Sequence, residues 1–334
     1  MLVNLWRRLA SAAGQTRPQG AGFRPSVRPR FRPTLEKLEE RTLLDTKIWT
    51  GAADNDWGNA ANWNGGVPGV FDTAKFDNTA TRTAPVIDSD TIIDKIMVQS
   101  TWNGSITDHA FLTITGGLTL ASGTFGGSGS ILIGGFSTWS GGELEVGGSM
   151  TLTSGTFTLT NSLDAVTING GGTLTNASTL TDTGVGLKVR GGTNVNNTGT
   201  WDFQSDHDIG YGIPSTGHFK NLGTLSKTLG SGTASIRMDF TNDGGSFLVT
   251  TGTFQVVSSN ALFRGGSFTV DTGAVMDLTG GASVSFSGSF SGSGAGTLRL
   301  NTGILHVINY MESRRRDFQL RWQFVPVAGR RHHR

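Results

Sequence analysis

The densest set of ionisable side chains is DFQSDHDIGYGIPSTGH, which places Asp202, Asp206, His207, Asp208, Tyr211 and His218 within seventeen residues. Carboxylates beside a His or Tyr can abstract a proton next to a uronate carboxyl, or hold a divalent ion. Asp206, His207, Asp208, Tyr211 and His218 are therefore the candidate catalytic residues for polysaccharide cleavage of the lyase type. That chemistry also needs a cation to neutralise the substrate carboxyl, and Arg190 and Lys220 are the nearest in the chain. The stretch equally has the composition of a solvated loop, and loops inserted into repeats often form binding faces.

Other chemistry finds less support. The calcium-binding repeat Gly-Gly-x-Gly-x-Asp is approached at Gly126-Gly127-Ser128-Gly129-Ser130, but Ile131 stands where the ligand belongs. Asp54-Asn55-Asp56-Trp57-Gly58 opens like an EF-hand loop, yet Gly65 occupies the position of the bidentate Glu. No cofactor is expected, and calcium is the one ion left open. Gly-x-Gly strings are not followed by helices, so no phosphate loop is supported. Trp139 and Trp201, set among small polar residues, are the candidate glycan contacts, since an exposed indole stacks on a sugar ring.

The elements that would carry these groups are strands. Gly 50, Thr 44 and Ser 30 dominate 334 residues, with Pro at only 8, which excludes a collagen and a Leu/Ala-rich helical core. From Ala84 the chain alternates: Leu112/Ile114, Leu118/Leu120, Leu144/Val146, Met150/Leu152, Phe157/Leu159, Val166/Ile168 and Phe268/Val270 are apolar–polar–apolar triplets. Gly-rich turns separate them, which predicts very short strands with one buried face each. GGSFLVTTGTFQV at Gly244 recurs as GGSFTVDTGAVMDL at Gly265, and SGTF at Ser122 recurs at Ser154, with TGTW at Thr198 and TGTF at Thr251. Asn197, Asn221, Asn242 and Asn301 each open an Asn-x-Gly turn, and one Asn per coil can stack into a hydrogen-bonded ladder.

A period near 21 residues predicts an all-β parallel β-helix, taken as right-handed, with about ten coils. An antiparallel β-sandwich pair is the alternative that short alternating strands allow. Four segments follow: a basic leader over 1–45, a Trp-rich N-terminal cap over 46–83, solenoid repeats over 84–307, and a non-repeat tail over 308–334. In the cap, Trp49, Trp57 and Trp63 either close over the first coil or offer a stacking platform. The tail has Gly, Ser or Thr at two of 27 positions, the texture of a chain cut short or read out of frame.

Charge is divided in the same way. Leader and tail each carry a balance of +5, leaving −8 on 46–307, so the folded body offers nothing to nucleic acid. There are no cysteines, no apolar run long enough to span a membrane as a helix, and no hydrophobic segment after Arg7-Arg8.

Three stretches carry a resemblance. In PTLEKLEERTLLD, Leu35, Glu36, Leu38, Glu39, Arg41, Leu43 and Leu44 match a short targeting-like motif that follows an Arg/Pro-rich leader in large secreted proteins of planctomycete bacteria. Trp49, Gly51, Trp57, Asn62, Trp63, Gly66, Pro68, Asp72 and Phe76 sit as in the opening of autotransporter-like surface proteins, and 91–307 resembles their β-helical repeats. The resemblance implies an extracellular or cell-surface location and an adhesin-like or matrix role without assigned catalytic residues. The expected partners are cell-envelope or extracellular polysaccharide, or other surface proteins.

Overall fold

The computed structural model describes residues 44–161, 165–184, 186–212, 216–258, 260–278 and 284–300, and the backbone of Leu305–Ile308. Most strands are three to five residues long, too short to be stable alone, and each pairs in parallel with the equivalent strand one coil before and one coil after. The result is a parallel β-solenoid of three faces.

Face one is a ladder of eleven strands from Val86–Ile87 to Thr297–Arg299, which sets about ten turns. Face two runs through Ser130–Ile133, Ser149–Leu152, Thr173–Asn176, Asn194–Asn197 and His218–Asn221. Face three runs through Ser137–Trp139, Thr156–Leu159, Thr179–Asp182, Thr200–Phe203 and Thr224–Lys227. In four coils one long strand, such as Phe111–Leu120 or Ala261–Val270, crosses the corner between faces two and three. These ladders are parallel throughout, so the sandwich alternative is excluded. Among the described residues the antiparallel pairing is Thr46–Trp49 with Trp63–Asn64, and helix is confined to the 3-10 turn Ala60–Asn62.

Both apolar members of every triplet predicted from alternation are buried. Stacking puts like on like in the interior: Phe247 lies over Phe268 at 5.3 Å and 13°, and Phe263 over Phe286 at 5.0 Å and 11°. The recurrence at Gly244 and Gly265 is a true coil step, since Ser246 pairs with Ser267 and Phe247 with Phe268. The SGTF phrase is not one. Phe125 lies on face one and Phe157 on face three, so the phrase marks entry from a corner into a strand. At such a corner Gly155 has φ 79, and a side chain there would run into the carbonyl oxygen of Gly135 in the coil below.

The Asn residues do form a ladder, and it begins one coil earlier than the Asn-x-Gly turns indicate, at Asn176. Asn176 Nδ2 donates to Asn197 Oδ1 (2.8 Å), Asn197 to Asn221 (2.8 Å), Asn221 to Asn242 (2.7 Å), and Asn242 to the carbonyl of Gly265 (2.8 Å). All four side chains are fully buried. Asn301 lies outside the described residues, as do Leu35–Leu43 of the leader motif and the tail from 309; Leu44 is exposed.

At the N-terminal end the Trp residues turn inward. Trp63 packs edge-on against Trp49 (5.1 Å) and Trp57 (4.8 Å), and all three rings contact the buried Phe76. Asn62 ties the intervening loop: its Oδ1 accepts from the backbone of Ala53 and Asp54, and its Nδ2 donates to Asp54 and to the carbonyl of Asp56. Trp49, Trp57 and Trp63 are thus core residues and not a stacking platform, because their indoles are spent on one another. Parallel pairing already begins here, with Thr46–Trp49 against Thr73–Phe76 and that strand against Thr91–Val98.

One inward position is electrostatically unfavourable. Asp108, on face one, is fully buried, and among the described residues its Oδ2 has no hydrogen-bond partner. Burial pushes its carboxyl up to about 6, with the charges of Asp90 and Asp88 adding to the rise. A carboxyl raised above its unfolded value of 3.8 favours the fold when protonated, so this contribution is present below pH 4 and lost by about pH 6. About two units correspond to roughly 3 kcal/mol. Urea unfolding is therefore expected to show a decline of that order between pH 4 and 7, and Asp108→Asn is expected to flatten it.

Candidate functional site

The candidate acid–base residues sit where a lengthened coil disturbs the repeat. Asn197 pairs with Asn221, 24 positions on, whereas Asn176 and Asn197 are 21 apart. Of the three extra residues, one falls between faces three and one, and two fall between the face-one strand Asp208–Tyr211 and the face-two strand His218–Asn221. Outward positions of face one then align as Lys188, Gly210 and Arg237 in one column, and Asp208 and Ser235 in the next. Around them lies a depression of about 580 Å³ whose wall includes Asp206, His207, Asp208 and Tyr211. Four of the five candidates are brought together. His218 is not: it stands on face two between Asn194 and Asp239, where burial lowers its pKa.

Each of the four is held by a partner. Asp206 accepts from Lys227 Nζ at 2.6 Å and from the amide of Gly232 at 2.8 Å. The Lys227 hydrogen bond holds its carboxyl below the usual carboxylate range, against a smaller opposing effect of burial. Lys227 itself occupies an inward position, fully buried, and donates also to the carbonyl of Leu229 (2.8 Å). Asp208 pairs with Arg237 Nε at 2.5 Å. The Tyr211 hydroxyl donates to the carbonyl of Gly217 (3.2 Å) and accepts from the amide of Asp239 (2.9 Å), and burial pushes its pKa up. Asp202 lies elsewhere, on face three, accepting from Ser226 and Thr228.

His207 completes a contact that scattered sequence positions conceal. Its Nε2 is 2.8 Å from Asp182 Oδ2, and its Nδ1 is 2.5 Å from Ser205 Oγ. Ser205 Oγ also donates to the carbonyl of Gly184 at 2.8 Å. A Ser, a His and an Asp in line suggest an activated nucleophile. However, Ser205 is not part of the wall of the depression, so a bound molecule meets the imidazole edge and not the hydroxyl. Asp182 takes an inward position otherwise held by Leu159 and Phe203, and the imidazole satisfies it there.

The cations of the site also differ from those nearest in sequence. Lys220 is paired with Asp243 at 2.7 Å, and Arg190 packs along the backbone at Gly212; neither borders the depression. Lys188 and Arg237 do. Their alternation marks both as outward residues, but coil steps ranging from 19 to 27 residues hide which outward positions share a column.

Trp139 and Trp201 are corrected outright. Both are inward residues of face three, 2% and 0% exposed, and Trp201 packs edge-on against Phe219 at 5.3 Å. Each indole stacks in the interior between leucines of the adjacent coils, Trp139 between Leu120 and Leu159 and Trp201 between Leu180 and Leu225. Elsewhere, the Asp54 carboxylate is occupied by the Asp56 amide and the side chains of Asn59 and Asn62, which lower its pKa. Among the described residues, no three His, Asp or Glu side chains converge as metal ligands.

In comparisons with known proteins, no protein-family model, no curated protein and no solved structure matches the chain.

The burial of Trp201 has a measurable consequence. Trp201→Ala is expected to lower unfolding free energy by about 3 to 5 kcal/mol, through lost burial and a residual cavity. Denaturant titration checks this. A cost under about 1 kcal/mol would mean that the ring is not in the core.

Proposed function

We propose that the protein is an exported bacterial surface or matrix component, a noncatalytic rod that presents a repetitive hydroxyl face to other envelope material. The observation that carries this reading is the regularity of face three. Thr156, Thr179, Thr200 and Thr224 pair in succession and continue as Ser246 and Ser267, while Thr119, Thr138, Thr158 and Thr181 form a second column beside them. Columns of identical short side chains, about 4.8 Å apart, make a stiff and uniform face with no single reacting centre. The export element of the proposal comes from the leader and Trp motifs of the sequence.

A second reading, polysaccharide contact at the face-one depression, is favoured by the presence of Lys188 and Arg237 beside four polar candidates. Cleavage is disfavoured because both carboxylates of the wall are already paired with cations, Asp206 with Lys227 and Asp208 with Arg237, so neither is free to take a substrate proton.

Protease shaving of intact cells of the source organism is expected to release peptides from 46–307 without lysis. Recovery only after lysis would remove the surface reading. Incubation of the purified chain with polygalacturonate and alginate is expected to yield no unsaturated oligosaccharide. Release that disappears in Asp208→Asn would replace the rod by an enzyme.

A further inference from the structure

Gly210 differs from the glycines of the strands Phe111–Leu120, Thr124–Gly127 and Ala261–Val270. Gly117, Gly126, Gly127, Gly265 and Gly266 have positive φ, and a side chain at Gly116 would collide with Asp94. Gly210 has neither excuse. Its backbone is ordinary strand, and an added Cβ would meet nothing nearer than Arg237 Cβ at 3.6 Å, a normal contact. Glycine weakens a strand interior, and where the fold does not require it, it often marks a place where a ligand comes close to the backbone.

The surroundings indicate what that ligand carries. In the same outward column, Lys188 lies one coil before Gly210 and Arg237 one coil after, so two cations flank bare backbone about 10 Å apart. Arg237 is held in place through Nε by Asp208. Lys188 is exposed and forms no ion pair among the described residues, although it sits on a body whose net charge is −8 over 46–307. The neighbouring column widens the notch at Gly186 and supplies Asp208 as a hydrogen-bonding group.

The geometry points to this notch as a noncatalytic binding site for a carboxylated polysaccharide. One uronate ring lies over Gly210, its carboxylate paired with Lys188 and its hydroxyls facing the Arg237–Asp208 pair. Flat open backbone accommodates a ring, a lone lysine matches a single carboxylate, and an outer face lets a long polymer enter and leave without threading the protein. The inference depends on the surface reading only for where the polymer is encountered.

Affinity electrophoresis of the full chain through gels containing sodium polygalacturonate, with dextran as the neutral control, tests it. Native protein is expected to be retarded by polygalacturonate and not by dextran, with retardation weakening as salt is added. Gly210→Thr, which fills the notch with a good strand residue, and Lys188→Gln, an exposed substitution, are each expected to weaken binding at least tenfold. Both should keep the native circular dichroism spectrum. Unchanged retardation of folded Gly210→Thr, equal retardation by dextran, or none by polygalacturonate would overturn the inference. Binding with these properties in a protein that shaving finds inside the cell would leave the notch standing and remove the surface reading.

Discussion

Backbone hydrogen bonding between coils is the constraint on which the rest of the structure depends. A four-residue strand such as Met150-containing Ser149–Leu152 has its partners only in the coils on either side, at Ser130–Ile133 and Thr173–Asn176. A single coil can neither satisfy its own amides nor close its own interior, so coils are stable only as a stack. Stacking at one strand spacing then repeats every side chain over its equivalent. Apolar residues benefit directly, as in the Phe columns. Polar residues benefit only when the equivalent residue can both give and take a hydrogen bond.

That condition separates the buried polar groups into two kinds. Asn satisfies it, because its amide donates upward and accepts from below; four buried Asn side chains run through consecutive coils and end on a backbone carbonyl. Carboxylates and ammonium groups do not, and each inward charge needs a partner of its own. Asp182 has His207, and Lys227 has Asp206 and the carbonyl of Leu229. Asp108 has only a long contact from the Ala110 amide and is shifted toward its protonated form. The inward charges Asp182 and Lys227 cluster near the lengthened coil, where the repeat already departs from its period. Lys188, Gly210 and Arg237 share a face-one column in the same region.

Much of the fold was legible in the sequence. The alternating triplets identified inward positions, the Gly244/Gly265 recurrence gave a real coil step, and Asn-x-Gly spacing anticipated the ladder from Asn197 to Asn242. What failed has one physical cause, the variable length of the corners. A coil step that ranges from 19 to 27 residues means that sequence distance does not report which outward residues are neighbours. Arg190 and Lys220 were nearest in the chain, yet Lys188 and Arg237 share the column. SGTF recurs because corners need small residues, not because it returns to one face. Trp139 and Trp201 looked exposed among Thr, Ser and Gly, but alternation places them inward with their neighbours outside. Asp182 and Lys227 could have been noticed as charged residues standing at apolar positions, in Leu180-Thr181-Asp182 and Leu225-Ser226-Lys227.

Amide hydrogen exchange of the full chain, read by mass spectrometry, tests the mutual dependence of the coils most directly. Strands between about residues 105 and 256 should be protected together on all three faces, including Asp208–Tyr211 beside the lengthened coil. Exchange of one face at the rate of the corner residues, while the other two stay protected, would contradict the account.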